Sequence, residues 1–234
     1  MIIENNYGRV NFMDEYPQLL ETKKIGINLS AGTDSAFLMY STLRKIYHER
    51  LDIAVVPITG VDNRRPVNEW HAREIVTYFD QIFPNVMINE HQFNYYVKDH
   101  EKDKPNKHRT HEKKLFSDGI IDVLFHGVTA NPDERPMKDM GFYNNRETKR
   151  DNNKKKFVSN NNNKALWYAP FAHVNKKFIA EEYRKNRLME ELFPMTASCI
   201  GYAKQTNFWT EPCKKCWWCK EKKWAFGMYD GGVC

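Results

Sequence analysis

Short apolar runs alternate along the first half of the chain with longer stretches whose apolar positions recur at helical spacing. The run at 53–58 is apolar at nearly every position, which is typical of a strand covered on both faces of a sheet. This alternation predicts an α/β fold with a parallel sheet built from right-handed strand–helix–strand units. The predicted strands are 24–30, 53–58, 86–88 and 120–125, and the predicted helices span about 35–47 and 66–84.

The second half of the chain carries weaker periodic signals. Residues 98–114, rich in charge and histidine, predict a loop with a short helix. Residues 127–165 lack an apolar period and predict a long mobile loop. The chain returns to the core at 166–170, and Asn175 is predicted to cap a helix that continues to about Leu192.

Composition supports one large domain with small additions. The chain has 234 residues, of which 41% are hydrophobic and 28% charged, so a packed core is expected. We divide it into an N-terminal extension (1–24), an α/β domain (25–198) and a cysteine-rich tail (199–234). No apolar run reaches the ~18 residues of a membrane span, and the first residues do not resemble an export signal, so we expect a cytoplasmic protein. The net charge of +6 suits an anionic substrate or RNA, but many other soluble proteins share it.

The turn between the first predicted strand and its helix is the strongest candidate for ligand binding. It reads Ser30-Ala-Gly-Thr-Asp-Ser35 and lies at the carboxyl end of the strand, where ligands of such sheets bind. Small residues allow successive N–H groups to face an anion, and the helix dipole favours negative charge at the same point. The hydroxyls of Ser30, Thr33 and Ser35 could contact phosphate, and Asp34 beside a phosphate predicts Mg²⁺. The alternative is a simple turn whose Asp or Ser caps the helix.

All five cysteines lie in the last fifth of the chain. Cys213, Cys216 and Cys219 are spaced two residues apart, and Cys199 precedes them by fourteen positions. Four thiolates satisfy tetrahedral zinc in a closed structural site, so we predict that these four bind Zn²⁺. An iron–sulfur cluster is the main alternative, and unligated cysteines in the core are a third interpretation. Cys234 is expected to stay outside the cluster, and Trp217, Trp218 and Trp224 are expected to pack the tail onto the domain.

The turn at 30–35 resembles the PP-loop of the ATP-pyrophosphatase superfamily, whose signature is Ser-Gly-Gly-x-Asp-Ser. Ser30, Gly32, Asp34 and Ser35 match it, and Ala31 departs from it by one methyl group. The resemblance implies a Rossmann-like sheet of the adenine nucleotide alpha hydrolase type that cleaves ATP between the α and β phosphates. ATP and Mg²⁺ would be cofactors. The implied nucleotide-binding residues are Leu29, Ser30, Ala31, Gly32, Thr33, Asp34 and Ser35.

The pairing of this loop with the C-terminal cysteines resembles the 7-cyano-7-deazaguanine synthase family. Pro170-Phe171, followed by Asn175-Lys176 and Ile179, also resembles a segment of that family, which makes Lys176 a candidate catalytic residue beside Asp34. The family converts a carboxylated deazapurine into a nitrile with ATP and ammonia, for queuosine or DNA modification. The resemblance therefore implies a small-molecule substrate and a zinc knuckle, and it is compatible with a homodimer. It implies no membrane partner and no nucleic acid as the direct substrate.

Two other functions are compatible with the sequence. The same loop serves tRNA thiolation and sulfonucleotide reduction, and a zinc-knuckle protein could instead bind nucleic acid without using ATP.

Several further residues give weaker signals. The lysines around the cysteines are expected to offset thiolate charge (Lys214, Lys215, Lys220, Lys222 and Lys223). Polar residues after the strand at 120–125 loosely resemble a loop of amide-forming synthetases (Thr129, Asn131, Asp133 and Glu134). Charged residues after the strand at 53–58 are expected to lie in a solvated loop (Asp62, Arg64 and Arg65), and the histidines of the Lys-rich stretch at the surface (His100, His108 and His111).

Overall fold

The computed structural model describes residues 1–63, 65–96, 106–141, 157–159 and 166–234. Among these residues the strands are β1 (Ile2–Asn5), β2 (Gly8–Asn11), β3 (Lys24–Asn28), β4 (Ala54–Asp62), β5 (Gln92–Tyr96), β6 (Val123–His126), β7 (Phe157–Ser159) and β8 (Leu166–Tyr168). The α-helices are α1 (Thr33–Glu49), α2 (Val67–Ile82), α3 (Asn106–Ser117), α4 (Glu134–Asp139), α5 (Lys176–Lys185) and α6 (Trp217–Phe226).

The predicted α/β class with a parallel sheet is confirmed. The main sheet has the strand order β5-β4-β3-β6-β8-β7, and all neighbouring pairs are parallel except β7 with β8. The chain fills one side of β3 first, with β4 and β5, and then crosses to β6 on the other side. The strand order therefore reverses between β3 and β6, and ligands of such sheets bind at the carboxyl ends of the strands at this point.

The N-terminal residues pack against the same core as the domain. The hairpin β1–β2 pairs Ile3 with Val10, and the side-chain amide of Asn5 donates to the carbonyl of Phe178 in α5 at 3.1 Å. Phe12 is fully buried and stacks on Phe171. The division of the chain into three parts stays a prediction.

Two predicted elements differ from the structure. Residues 86–88 form no strand and make one isolated bridge, between Val55 and Ile88. The chain pairs with β4 only further on, as β5. The helix capped by Asn175 ends at Lys185, since Arg187 adopts a left-handed φ of +58°. Leu188 and Leu192 extended the helical period in the sequence, but they are buried in turns instead.

The segments predicted as loops contain short elements where they are described. Helix α4 and strand β7 lie within 127–165, while 142–156 and 160–165 are outside the described residues, so the mobile loop stays a prediction there. Residues 97–105, with His100, are also outside them. None of the described helices is long and apolar enough to cross a membrane.

Candidate nucleotide-binding loop and metal centre

The loop after β3 is a tight turn held by its own side chains. The Leu29 amide still donates to Ile58 of β4, at 2.8 Å, and Ala31 then adopts a left-handed φ of +61°. The Ser35 hydroxyl donates to the Gly32 carbonyl at 3.0 Å and accepts from the Ser30 amide at 3.2 Å. These bonds fix the loop before any ligand is present.

The backbone N–H groups of residues 31–35 have no hydrogen-bond acceptor among the described residues. Helix α1 begins at Thr33, its N-cap is Gly32, and no side chain caps it. The alternative in which an Asp or Ser caps the helix is therefore wrong. Free N–H groups at the start of a seventeen-residue helix attract an anion, because their dipoles align and no internal acceptor competes.

The space beside Gly32 could accommodate a methyl group. Its φ of −81° suits any residue, and an added Cβ would lie 3.6 Å from Ser30 Oγ and 3.7 Å from Ser198 Oγ, which are ordinary contacts. Packing within the protein does not demand glycine at this position. Gly32 and Asp34 are partly exposed, whereas Ala31 and Thr33 are fully buried, so a ligand would approach the loop at Gly32 and Asp34.

The two predicted catalytic residues form an ion pair beside the loop. Lys176 Nζ lies 3.0 Å from Asp34 Oδ2 and 3.5 Å from a carboxylate oxygen of Glu221 in α6. Asn175 caps α5 as predicted, accepting from the Lys177 amide at 3.0 Å, and thereby fixes where Lys176 leaves the helix. Lys176 is 3% exposed and Asp34 17%, so Asp34 retains access to a ligand. This carboxylate is suited to hold Mg²⁺ next to bound phosphates.

The loop after β6 packs directly on the start of α1. A Cβ at Gly127 would lie 2.8 Å from the backbone of Asp34, so this close approach requires glycine. It brings Thr129 Oγ1 within 3.5 Å of Asp34 Oδ2. Of the polar residues singled out in this segment, Asp133 and Glu134 are exposed instead, and Glu134 pairs with Lys138.

The four predicted metal ligands come together in the C-terminal tail. The sulfur atoms of Cys199, Cys213, Cys216 and Cys219 all lie within 4.8 Å of one another. Tetrahedral zinc with bonds of about 2.3 Å places its sulfur ligands roughly 3.8 Å apart, and Cys213 and Cys219 are 3.9 Å apart. The thiolates of a four-iron cluster bind different iron atoms and lie farther apart, so this spacing suits a single ion.

Backbone N–H groups support the cluster. Those of Gly201 and Cys213 donate to Cys199 Sγ at 3.3 and 3.2 Å. A Cβ on Gly201 would lie 2.8 Å from Cys213 Cβ, so glycine is required for this approach. Hydrogen bonds from Cys199 and Cys219 lower the pKa of Cys216, and the same close thiols raise the pKa of Cys219. The backbone donors are those that a metal-bound thiolate site needs.

The tryptophans of the tail divide between core and surface. Trp217 is buried with Met137 and Met140 of the segment around α4, and Trp224 packs against them. Trp218 is exposed, so the expectation of packing is wrong for this residue. Cys234 is exposed and outside the cluster, as predicted.

Lys222 does not offset the thiolates as expected. It is completely buried, and its ammonium pairs with Asp230 at 2.5 Å and donates to Thr196 Oγ1 at 2.9 Å. Burial alone would raise the pKa of Asp230, but the Lys222 ammonium and the Ser198 and Cys199 amides together hold it below its ordinary value. The other oxygen of Asp230 accepts from the Ser198 and Cys199 amides.

The expectation of a solvated loop after the second parallel strand is also wrong. Strand β4 continues to Asp62, whose side chain is buried, and the Arg65 amide donates to it at 3.1 Å. The Arg65 guanidinium donates to the Ala197 carbonyl at 3.3 Å, two residues before the candidate metal ligand Cys199. Arg64 lies outside the described residues.

The sequence analysis did not propose two further residues that lie at the carboxyl ends of the strands. His126 ends β6, and its Nδ1 lies 3.3 Å from the side-chain amide of Asn28, which ends β3. Burial lowers the pKa of His126 to about 4. A neutral imidazole and an amide thus lie side by side at the ends of the two strands between which the strand order reverses.

Comparisons with known proteins place few further constraints. No protein-family model matches the chain, and no curated protein matches it in sequence. One similar solved structure is the U34-tRNA thiolase NcsA from Methanococcus maripaludis with its [4Fe-4S] cluster, at 12% identity and a TM-score of 0.45. The match covers 71% of this chain and 58% of that chain. A likeness this low supports no conclusion about activity.

Proposed function

We propose that this chain is an ATP-dependent ligase that adenylates a substrate carboxylate and releases pyrophosphate, like 7-cyano-7-deazaguanine synthase. The observation that carries the proposal is the row of unpartnered N–H groups at 31–35 beside the pair Asp34–Lys176. Such a row binds phosphate oxygens, and the neighbouring charges suit a reaction in which pyrophosphate leaves.

In the proposed reaction, the substrate carboxylate attacks the α-phosphorus of ATP, and the bond to the β-phosphate oxygen breaks. The N–H groups of the loop bind the negative charge that collects on the departing pyrophosphate. Lys176 separates from Asp34 and donates a hydrogen bond to the pyrophosphate. Asp34 would hold Mg²⁺. The metal ion, when bound, neutralises phosphate charge.

The second half of the reaction consumes ammonia. Ammonia displaces AMP from the acyl adenylate to give an amide and releases a proton. The amide oxygen attacks the α-phosphorus of a second ATP and a second pyrophosphate leaves; loss of AMP and of both amide protons then gives the nitrile. We propose that a planar deazapurine is held near His126 and Asn28, which end neighbouring strands.

One incubation tests the proposal. The protein is mixed with ATP, Mg²⁺, ammonium and 7-carboxy-7-deazaguanine, and the nitrile and pyrophosphate are followed by mass spectrometry and a coupled assay. Asp34→Asn should abolish both products, whereas Asp52→Asn, at an exposed residue paired with Lys23, should change neither. Full pyrophosphate release by Asp34→Asn would refute the assigned role.

Metal analysis separates this proposal from tRNA thiolation. We propose that the four cysteines bind one Zn²⁺, because their sulfur atoms are spaced for a single ion. Purified protein should contain one zinc per chain and be colourless. Iron and a brown colour would favour the thiolation alternative.

A further inference from the structure

Ser198 is a buried serine whose hydroxyl has no partner. The residue is 6% exposed, and its Oγ makes no hydrogen bond within the part of the chain that the structure describes. Buried hydroxyls are normally hydrogen-bonded, so an unpartnered one indicates a missing partner such as a ligand. Ser198 lies in the C-terminal tail, directly before the metal ligand Cys199.

The Ser198 hydroxyl faces the nucleotide-binding loop. It lies 3.7 Å from the position that a Cβ on Gly32 would occupy, and the Ser30 hydroxyl lies 3.6 Å from the same position. Gly32 belongs to the row 31–35, whose N–H groups have no acceptor among the described residues. A phosphate oxygen placed there would meet N–H donors on one side and an O–H donor on the other.

Three contacts hold Ser198 in this position. The preceding residue is tied to the loop, because the Ala197 amide donates to the Ala31 carbonyl at 2.8 Å. The Ser198 amide donates to Asp230 at 2.8 Å. The following residue, Cys199, belongs to the metal cluster. The backbone that carries the hydroxyl is therefore held in place before the nucleotide binds, which reduces the entropy lost on binding.

We infer that Ser198 is an additional phosphate-binding residue, contributed by the metal-binding tail to the opposite side of the loop. Its hydroxyl donates to a phosphate oxygen of ATP or to the released pyrophosphate. The cysteine cluster then has a role beyond stabilising the tail, since it positions this donor. The inference rests on the proposed function, because it requires that the loop bind a nucleotide.

The test compares Ser198→Ala with Ser41→Ala by isothermal titration calorimetry with MgATP, pyrophosphate and AMP. Ser41 is the matched control, because it is also a buried serine with an unpartnered hydroxyl but lies two turns into α1. A hydrogen bond to a charged group corresponds to a roughly 10- to 100-fold change in affinity. Ser198→Ala should lose that much affinity for MgATP or pyrophosphate, and Ser41→Ala should bind both like the unaltered protein.

Thermal unfolding of the free protein provides a second readout. Because the hydroxyl has no protein partner, Ser198→Ala should unfold at the same temperature as the unaltered protein or higher. A lower unfolding temperature would show that the hydroxyl has a structural partner and would overturn the inference. Unchanged affinity of Ser198→Ala would also overturn it and leave the proposed function intact. If the unaltered protein bound neither MgATP nor pyrophosphate, the proposed function itself would fail, and the inference with it.

Discussion

Replacing Gly32 with alanine should separate ligand binding from stability. In the free protein the added methyl group makes only ordinary contacts, at 3.6 and 3.7 Å, and the φ of −81° is unstrained. Lower entropy of the unfolded chain stabilises by about 0.4–1 kcal/mol. Alanine is a poorer N-cap than glycine, which costs roughly 0.5–1 kcal/mol. These effects oppose each other, so the free energy of unfolding should change by less than about 1 kcal/mol.

The same methyl group fills the space that phosphate oxygens need in order to reach the N–H groups. Loss of two hydrogen bonds to a charged ligand costs about 3–6 kcal/mol in total, so the affinity for MgATP should fall more than about 100-fold. Calorimetry with MgATP and denaturant unfolding measure the two quantities. If Gly32→Ala bound MgATP normally, the ligand would not approach the loop over Gly32, and the reasoning would be refuted.

Gly119→Ala is the control, because it should lower the stability of the protein without changing its affinity for MgATP. Gly119 has a φ of +65° and no atom within 4 Å of an added Cβ. It lies at the other end of the sheet, where its carbonyl accepts from Lys24 at 2.9 Å. The left-handed conformation should cost alanine about 1–2 kcal/mol of stability, with no change in MgATP affinity.

Three further predictions concern the tail and the crevice. Removing the metal with a chelator, or by Cys216→Ser, should lower the unfolding temperature and weaken MgATP binding. Cys234→Ser, outside the cluster, should change neither quantity. Metal-free protein that bound MgATP with full affinity would contradict this prediction. Lys222→Met leaves the buried carboxylate of Asp230 unpaired and should cost roughly 3–5 kcal/mol in denaturant unfolding, against almost nothing for the exposed Lys215→Met. His126 stays neutral in the folded protein down to its pKa of about 4, whereas the unfolded chain binds a proton near pH 6.5, so stability should fall as the pH drops through that window. His126→Gln should lessen this dependence.

The nucleotide-binding loop could be predicted because its signals are local. An apolar strand, a run of small residues and a helical period follow one another without interruption from Lys24 to Glu49. The cysteine cluster was predictable for a similar reason, since three of its ligands lie within seven residues. Cys199 was assigned as the fourth ligand because no earlier cysteine could pair with it. The convergence of the four sulfur atoms agrees with that prediction.

The charged partners around the site could not be predicted, because tertiary contacts define them. Glu221, Lys222 and Asp230 belong to a lysine-rich tail whose composition is typical of a solvated surface. Packing of α6 against α5 buries Glu221 near Lys176, and the return of the chain end buries Asp230 against Lys222. No spacing in the sequence relates these positions to the loop.

Arg65 was missed for a different reason. The apolar run of the second parallel strand ends at Ile58, yet β4 continues to Asp62 because β5 pairs with those last residues. The N-terminal hairpin did carry a signal, since Ile3, Val10 and Phe12 are apolar positions on one face and all three are buried. Polar neighbours and the short length of β1 and β2 concealed it.

The most direct test of the central claim is a titration of ¹⁵N-labelled protein with MgATP, followed through the amide resonances. If the loop binds the phosphates, the largest shifts will fall on the N–H groups of residues 31–35, because these groups gain acceptors that the free protein lacks. Gly119, at the opposite end of the sheet, should remain unchanged. If the amide resonances of residues 31–35 did not shift at saturating MgATP, the account would be contradicted.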